Sequence, residues 1–123
     1  MKMLLLDVEN NAVKVVEANG LEDYYRFIGC STIDIVRRKI GDLYVEIVCD
    51  DEGLFAEYPK VSAIDRAGNP CLYGNLLVAS GRVIDGELTE LADREIAYLE
   101  HCIVEVTTEH FKEPFKVFYR MNY

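Results

Sequence analysis

The sequence predicts an α+β fold: a single compact domain with a largely antiparallel sheet of about six or seven short strands and two helices on one face. Three observations predict it. Short apolar or alternating segments recur along the chain, mostly joined by links of hairpin length. Two other segments carry the helical apolar period instead. The length of 123 residues and the hydrophobic fraction of 50% suit one domain with its own core.

Lys2–Val8 is an apolar run that suits a buried strand. Glu9-Asn10-Asn11-Ala12 follows as a tight turn, since asparagine tolerates left-handed backbone, and Val13, Val15 and Val16 form the return strand. After Asn19-Gly20, Leu21, Tyr24, Tyr25 and Ile28 fall at i, i+3, i+4 and i+7. That is one apolar face of a two-turn helix, with Gly29 as its left-handed stop. Thr32–Ile40 alternates and ends in the basic run Arg37-Arg38-Lys39. Gly41-Asp42 turns the chain into Leu43–Cys49, where Leu43, Val45, Ile47 and Cys49 alternate with Tyr44, Glu46 and Val48. Asp50-Asp51-Glu52-Gly53 reads as a loop, with Leu54–Tyr58 as a short return strand ended by Pro59.

Residues 60–74 hold no sustained period and predict an irregular connection, with one helical turn around Val61–Asp65. Asn75–Ser80 is continuously apolar after its first residue, which predicts a buried central strand. Gly81 to Gly86 is rich in turn residues. Thr89 then offers a cap for a helix whose stripe is Ala92, Ile96, Leu99 and Ile103. Val104–Thr108 and Phe115–Met121 read as extended, with Pro114 just outside the last strand. There are no repeats, linkers or low-complexity segments.

Charge narrows the function. Thirteen basic against 22 acidic residues, a net charge of −9, give no positive footprint for direct nucleic-acid binding or for an anionic membrane surface. The acidity concentrates between Asp85 and Glu109, where eight carboxylates face the single Arg94. Among them Asp85, Glu87, Glu90, Asp93, Glu95 and Glu100 are the candidate acidic surface. No apolar stretch reaches the ~20 residues of a membrane span, and Met3–Leu6 is too short for a secretory core. Cys30, Cys49, Cys71 and Cys102 lack C-x-x-C spacing, so a cytoplasmic protein with reduced thiols is expected.

No catalytic constellation stands out. Consecutive acids at 50–52 diverge instead of converging on a cation, and His101, Cys102 and His110 lack zinc-ligand spacing. No metal and no cofactor are expected. Long connections carry function, which singles out Asp50, Tyr58, Gly74 and Asn75 beside the 59–75 segment as candidate binding residues. Asn75 offers both a donor and an acceptor at a strand mouth.

Several of these segments resemble one family. Ile33-Asp34-Ile35-Val36, Val48-Cys49-Asp50-Asp51-Glu52-Gly53-Leu54, Tyr58-Pro59, Gly74-Asn75-Leu76-Leu77-Val78 and Gly86-Glu87-Leu88-Thr89 are similar to DUF3846, a domain of unknown function in phage and bacterial mobile-element proteins. The resemblance covers about 29–103, with an N-terminal hairpin and helix (1–28) and C-terminal strands (104–123) outside it. It implies a compact α+β domain in a bacterial or phage cytoplasm and carries no activity.

The expected function is therefore a non-catalytic, acidic interaction or regulatory protein, more an interaction protein than an enzyme. Its partner is another protein, a basic one being favoured by the charge, or a second copy of itself, the latter through the C-terminal strand. Nucleic-acid mimicry through residues 85–109 is one specific form. The alternative is a small-ligand-binding protein or enzyme with a pocket beside the 59–75 connection.

Overall fold

The apolar runs Met3–Leu6 and Leu76–Ala79 lie side by side in the middle of a sheet, Leu4 opposite Val78 and Leu6 opposite Leu76. The computed structural model describes residues 1–52, 59–109 and 111–122. Among these, the elements are β1 (Lys2–Asp7), β2 (Ala12–Glu17), α1 (Leu21–Ile28), β3 (Ile33–Ile40), β4 (Leu43–Asp50), β5 (Val61–Ile64), β6 (Pro70–Tyr73), β7 (Leu76–Ile84), β8 (Glu87–Thr89), α2 (Asp93–His101), β9 (Ile103–Val106), β10 (Phe115–Phe118) and β11 (Met121–Asn122). The larger sheet runs β11-β3-β4-β7-β1-β2, with β8 paired to β7. All its pairings are antiparallel. A second sheet runs β6-β5-β10-β9, with β5 and β10 parallel.

The α+β class and the antiparallel character match expectation. The placement of the helices does not. Successive side chains of a strand point to opposite faces, so an uninterrupted apolar run needs cover on both. Met3, Leu5, Val48, Leu77 and Ala79 meet Tyr24 and Ile28 of α1. Leu4, Leu6, Val45, Ile47, Leu76 and Val78 face the other way, onto Leu91, Ile96 and Leu99 around α2 and Phe118 of the second sheet. The helices therefore cover opposite faces instead of sharing one.

Three further expectations change. Val61–Ile64 is a strand, not a helical turn, and the 60–74 segment is largely the β5–β6 hairpin. Asp65 organises its turn by accepting hydrogen bonds from the amides of Ala67 and Asn69, both at 2.9 Å. Those bonds hold the Asp65 carboxyl below the ordinary carboxylate range, against a smaller opposing effect of burial. The last strand breaks after Phe118. Arg120 adopts a left-handed φ of 65°, and the chain passes from the second sheet to the edge of the first, where Met121 pairs with Ile40. β10 is thus interior to its sheet, and only the two residues of β11 sit at an edge. The expected strand at Leu54–Tyr58 lies outside the described residues.

α1 occupies the expected residues, and Gly29 closes it in the left-handed conformation by donating its N–H to the Tyr25 carbonyl at 2.8 Å. α2 starts later than expected. Thr89 instead belongs to β8, its hydroxyl donating to the Arg82 carbonyl. Glu95 takes over the capping work: its Oε1 accepts from the Ala92 N–H at 2.8 Å and from Arg82 at 3.0 Å. Its Oε2 accepts from the buried Ser80 hydroxyl at 3.3 Å. One carboxylate so ties the start of α2 to β7.

Two stability outcomes follow. A Cβ on Gly81 would lie 2.3 Å from the Tyr44 carbonyl oxygen, so Gly81→Ala should cost about 2 kcal/mol or more in urea unfolding. Glu95→Ala removes the acceptor for Ser80 and the Ala92 amide and should cost about 2–3 kcal/mol in the same measurement. A change under 0.5 kcal/mol for either variant, roughly the level of neutral surface substitutions, would contradict this packing.

Candidate functional site

The α1 side of the larger sheet is only partly covered. Register places Ile35 beside Val48, Arg37 opposite Glu46 and Lys39 opposite Tyr44. Val48 lies under α1, but the positions further along β3 and β4 on that face do not. Ile35 remains 44% and Tyr44 49% exposed. The Tyr44 ring lies between two cations, with the Arg37 guanidinium 5.0 Å and the Lys39 ammonium 5.5 Å from its centroid. Such contacts contribute about 0.5–1 kcal/mol each at exposed sites. Arg37 is further oriented by donating to Glu46 at 3.3 Å and to the Gly81 carbonyl at 2.9 Å.

This bare half-face runs into a groove of about 580 Å³ between the first turn of α1 and the β7–β8 turn. Leu21, Tyr24, Ile35 and Leu88 supply apolar walls, and Gly86 and Glu87 form part of the rim. Leu21 is 56% exposed, and Ile84, beside that turn, 62%. Half of the apolar stripe expected to bury α1 therefore faces outward: Tyr24 and Ile28 are buried, while Leu21 and Tyr25 are not. Of these residues the sequence singles out Glu87, as part of the acidic surface. The available signal was the basic run Arg37–Lys39 folded back by Gly41-Asp42 against Tyr44 and Glu46.

Of the sequence-derived binding residues, Asp50, Gly74 and Asn75 lie near one another, where Cys49 pairs with Leu76 at the adjoining ends of β4 and β7. Asp50 ends β4, where its Oδ1 accepts from the Glu52 amide at 2.9 Å. Gly74 has a φ of 79° and donates its N–H to the Lys60 carbonyl at 2.9 Å. Asn75 uses its donor and its acceptor within the fold: Oδ1 accepts from the Val8 amide and Nδ2 donates to the Phe27 carbonyl, both at 2.9 Å. It clamps the exit of β1 to the end of α1. Tyr58 lies outside the described residues.

The acidic residues also serve different ends. Glu95, expected on the acidic surface, is only 7% exposed and belongs to the interior cap of α2. Asp93 pairs with the Lys2 ammonium at 3.0 Å, and Glu90 accepts from the Lys2 amide at 3.1 Å. Asp85 sits at the β7–β8 turn with a φ of 52°. Glu87 lines the groove on the α1 side, whereas Glu100 lies on α2, which covers the opposite face. These carboxylates do not form one row.

A family model described as a domain of unknown function, DUF3846, matches residues 1–103. The chain belongs to this family. The match begins at residue 1, so the N-terminal hairpin and α1 fall within the DUF3846 region rather than before it. The bare half-face and its groove, built from α1, β3, β4 and the β7–β8 turn, lie wholly inside it. No curated protein and no solved structure matches the chain.

No group of three or more His, Cys, Asp or Glu side chains in this DUF3846 chain is placed to hold a metal ion, among the described residues. No helix among them is long and apolar enough to cross a membrane. The four cysteines are free thiols. Burial, with the Asp34 carboxylate nearby, pushes the Cys49 thiol up to about 11. At pH 7 only about one Cys49 in ten thousand is then thiolate. Iodoacetamide should leave Cys49 and the buried Cys102 unmodified in the folded protein and reach both once urea unfolds it, as read by peptide mass mapping. Labelling of Cys49 at the rate of the unfolded chain would contradict this environment.

Proposed function

We propose that this DUF3846 chain is a non-catalytic interaction protein whose docking surface is the bare half-face of the larger sheet. The observation that carries the reading is the contiguity of exposed apolar side chains with a cation-flanked tyrosine: Leu21 and Ile35 at the groove, then Arg37, Lys39 and Tyr44. An apolar cleft edged by an oriented aromatic–arginine pair has the make-up of an interface core, where Tyr and Arg are enriched.

The occupant is an acidic, amphipathic segment of a partner protein. Its apolar residues would fill the groove and its carboxylates would meet Arg37 and Lys39. The chain's net charge of −9 makes this local cationic edge the place where an acidic partner is attracted and not repelled. A second copy docking by the same face would bring Arg37 and Lys39 against their own counterparts, which disfavours self-association there. The acidic 85–109 segment plays the lesser part of keeping the rest of the surface solvated.

Photo-crosslinking from position 35 in an extract of the source cells tests the reading. The captured segment should be acidic and amphipathic, and a synthetic peptide of that sequence should bind the wild-type chain. Ile35→Asp and the double variant Arg37→Glu, Lys39→Glu should each weaken that peptide about tenfold or more while leaving the melting temperature within a few degrees. Capture of a basic segment, of nucleic acid or of a second copy, or equal binding by the variants, would overturn it.

A further inference from the structure

Asn19-Gly20, which the sequence offers only as a break before α1, lies on the wall of the groove beside that helix, and both residues are exposed. In an asparagine–glycine pair the backbone nitrogen of the second residue can attack the side-chain amide of the first, because glycine puts no Cβ beside the attacking atom. Gly20 keeps that freedom in the fold. It takes a φ of 107°, and a Cβ built on it would meet no atom within 4 Å. The other asparagines precede Asn, Ala, Pro, Leu or Tyr, each with a side chain at that place.

The side chain of Asn19 is also held by a cation. Its Oδ1 accepts from the N-terminal ammonium of Met1 at 2.6 Å, and Glu17 holds the same ammonium at 2.7 Å. The Asn19 N–H donates to the Asp23 carboxylate at 2.7 Å, and the Ala18 N–H to the Met1 carbonyl at 3.0 Å, so the backbone around the pair is fixed. Attack on a side-chain amide drives negative charge onto its oxygen. A donor already aimed at that oxygen stabilises the charge, and a charged donor does so more strongly than a neutral one. The Met1 ammonium therefore activates Cγ of Asn19 toward its neighbour. Asn75 shows the contrast: its Oδ1 accepts from the neutral Val8 amide, and a leucine follows it.

We infer that Asn19 is a site of spontaneous conversion to aspartate and isoaspartate. The Gly20 nitrogen bonds to Cγ of Asn19, and the side-chain nitrogen leaves as ammonia, taking up the Gly20 N–H proton. A succinimide ring remains. Water then adds to either ring carbonyl and the bond from that carbon to the Gly20 nitrogen breaks, which leaves a carboxylate and restores the N–H. No electron is gained or lost. The aspartate product puts a carboxylate beside the Met1 ammonium and ahead of the first turn of α1, where negative charge is favoured. It so adds an acidic group to the groove wall while keeping the fold. The isoaspartate product lengthens the backbone at the entry to α1. The reaction needs no partner, so its failure would leave the docking reading standing.

Incubation of the full chain in mildly alkaline buffer, folded and in urea, tests it, read by peptide mass mapping with enzymatic methylation of isoaspartate. Asn19 should convert first among the asparagines. It should convert in the folded chain at least as fast as in urea, where the ammonium contact is gone. Selective acetylation of the Met1 amine should slow the folded rate about tenfold and leave the rate in urea unchanged. Earlier conversion of another asparagine, an Asn19 that converts in urea but stays intact in the folded chain, or a folded rate unmoved by acetylation would overturn the inference.

Discussion

The structure depends on one sheet whose central strands are apolar on both faces. β1 and β7 bury consecutive side chains, so neither face can stand in water. Each face recruited its own cover: α1 on one, α2 and the second sheet on the other. The two covers are unequal. A helix of eight residues is about 12 Å long and about 10 Å across, while six strands side by side span about 24 Å. α1 therefore closes over β7, Met3 and Leu5 of β1 and the near parts of β4 and β3, and leaves the rest of β3 and the start of β4 bare. The open half-face follows directly from the shortness of that helix.

What the bare strands carry there is not a neutral solvated surface. A fully polar face would need no partner, and a fully apolar one would aggregate. Ile35 and Tyr44 instead alternate with Arg37 and Lys39, and Glu46 anchors Arg37. The same strand pairs at its outer edge with β11, Met121 opposite Ile40. The acidic carboxylates that dominate the composition are put to structural use nearby. Glu95 caps α2, Asp93 and Glu90 hold Lys2, and Glu17 pairs with the N-terminal ammonium at 2.7 Å.

Much of this was legible in the sequence. The bounds of α1 were readable because Gly29 can take the left-handed cap, and β4 because Leu43, Val45, Ile47 and Cys49 alternate. The two-sided sheet was legible as well, since Met3–Leu6 and Leu76–Ala79 leave no polar face. Placing both helices on one side overlooked that consequence. The remainder depends on contacts distant in sequence. Nothing local marks Arg120 as the residue that passes the chain between sheets, or Glu95 as the partner of Ser80. Asn75 illustrates the site problem. Its donor and acceptor are as useful for clamping Val8 to Phe27 as for gripping a ligand, and only the fold distinguishes the two. The bare half-face is hidden in the sequence for the converse reason: the helical period of Leu21, Tyr24, Tyr25 and Ile28 reads as a buried stripe, and only the narrowness of the packing leaves Leu21 outside.

Hydroxyl-radical footprinting of the purified protein against the same protein in an extract of its source cells tests the central claim most directly. Val15 is an internal control, 49% exposed like Tyr44 but paired with Leu4, whose side chain lies on the α2 side of the sheet. The account predicts that Leu21, Ile35 and Tyr44 react in the purified protein and lose reactivity in the extract, while Val15 reacts equally in both. Protection of Val15 with no change at Ile35 and Tyr44 would contradict it.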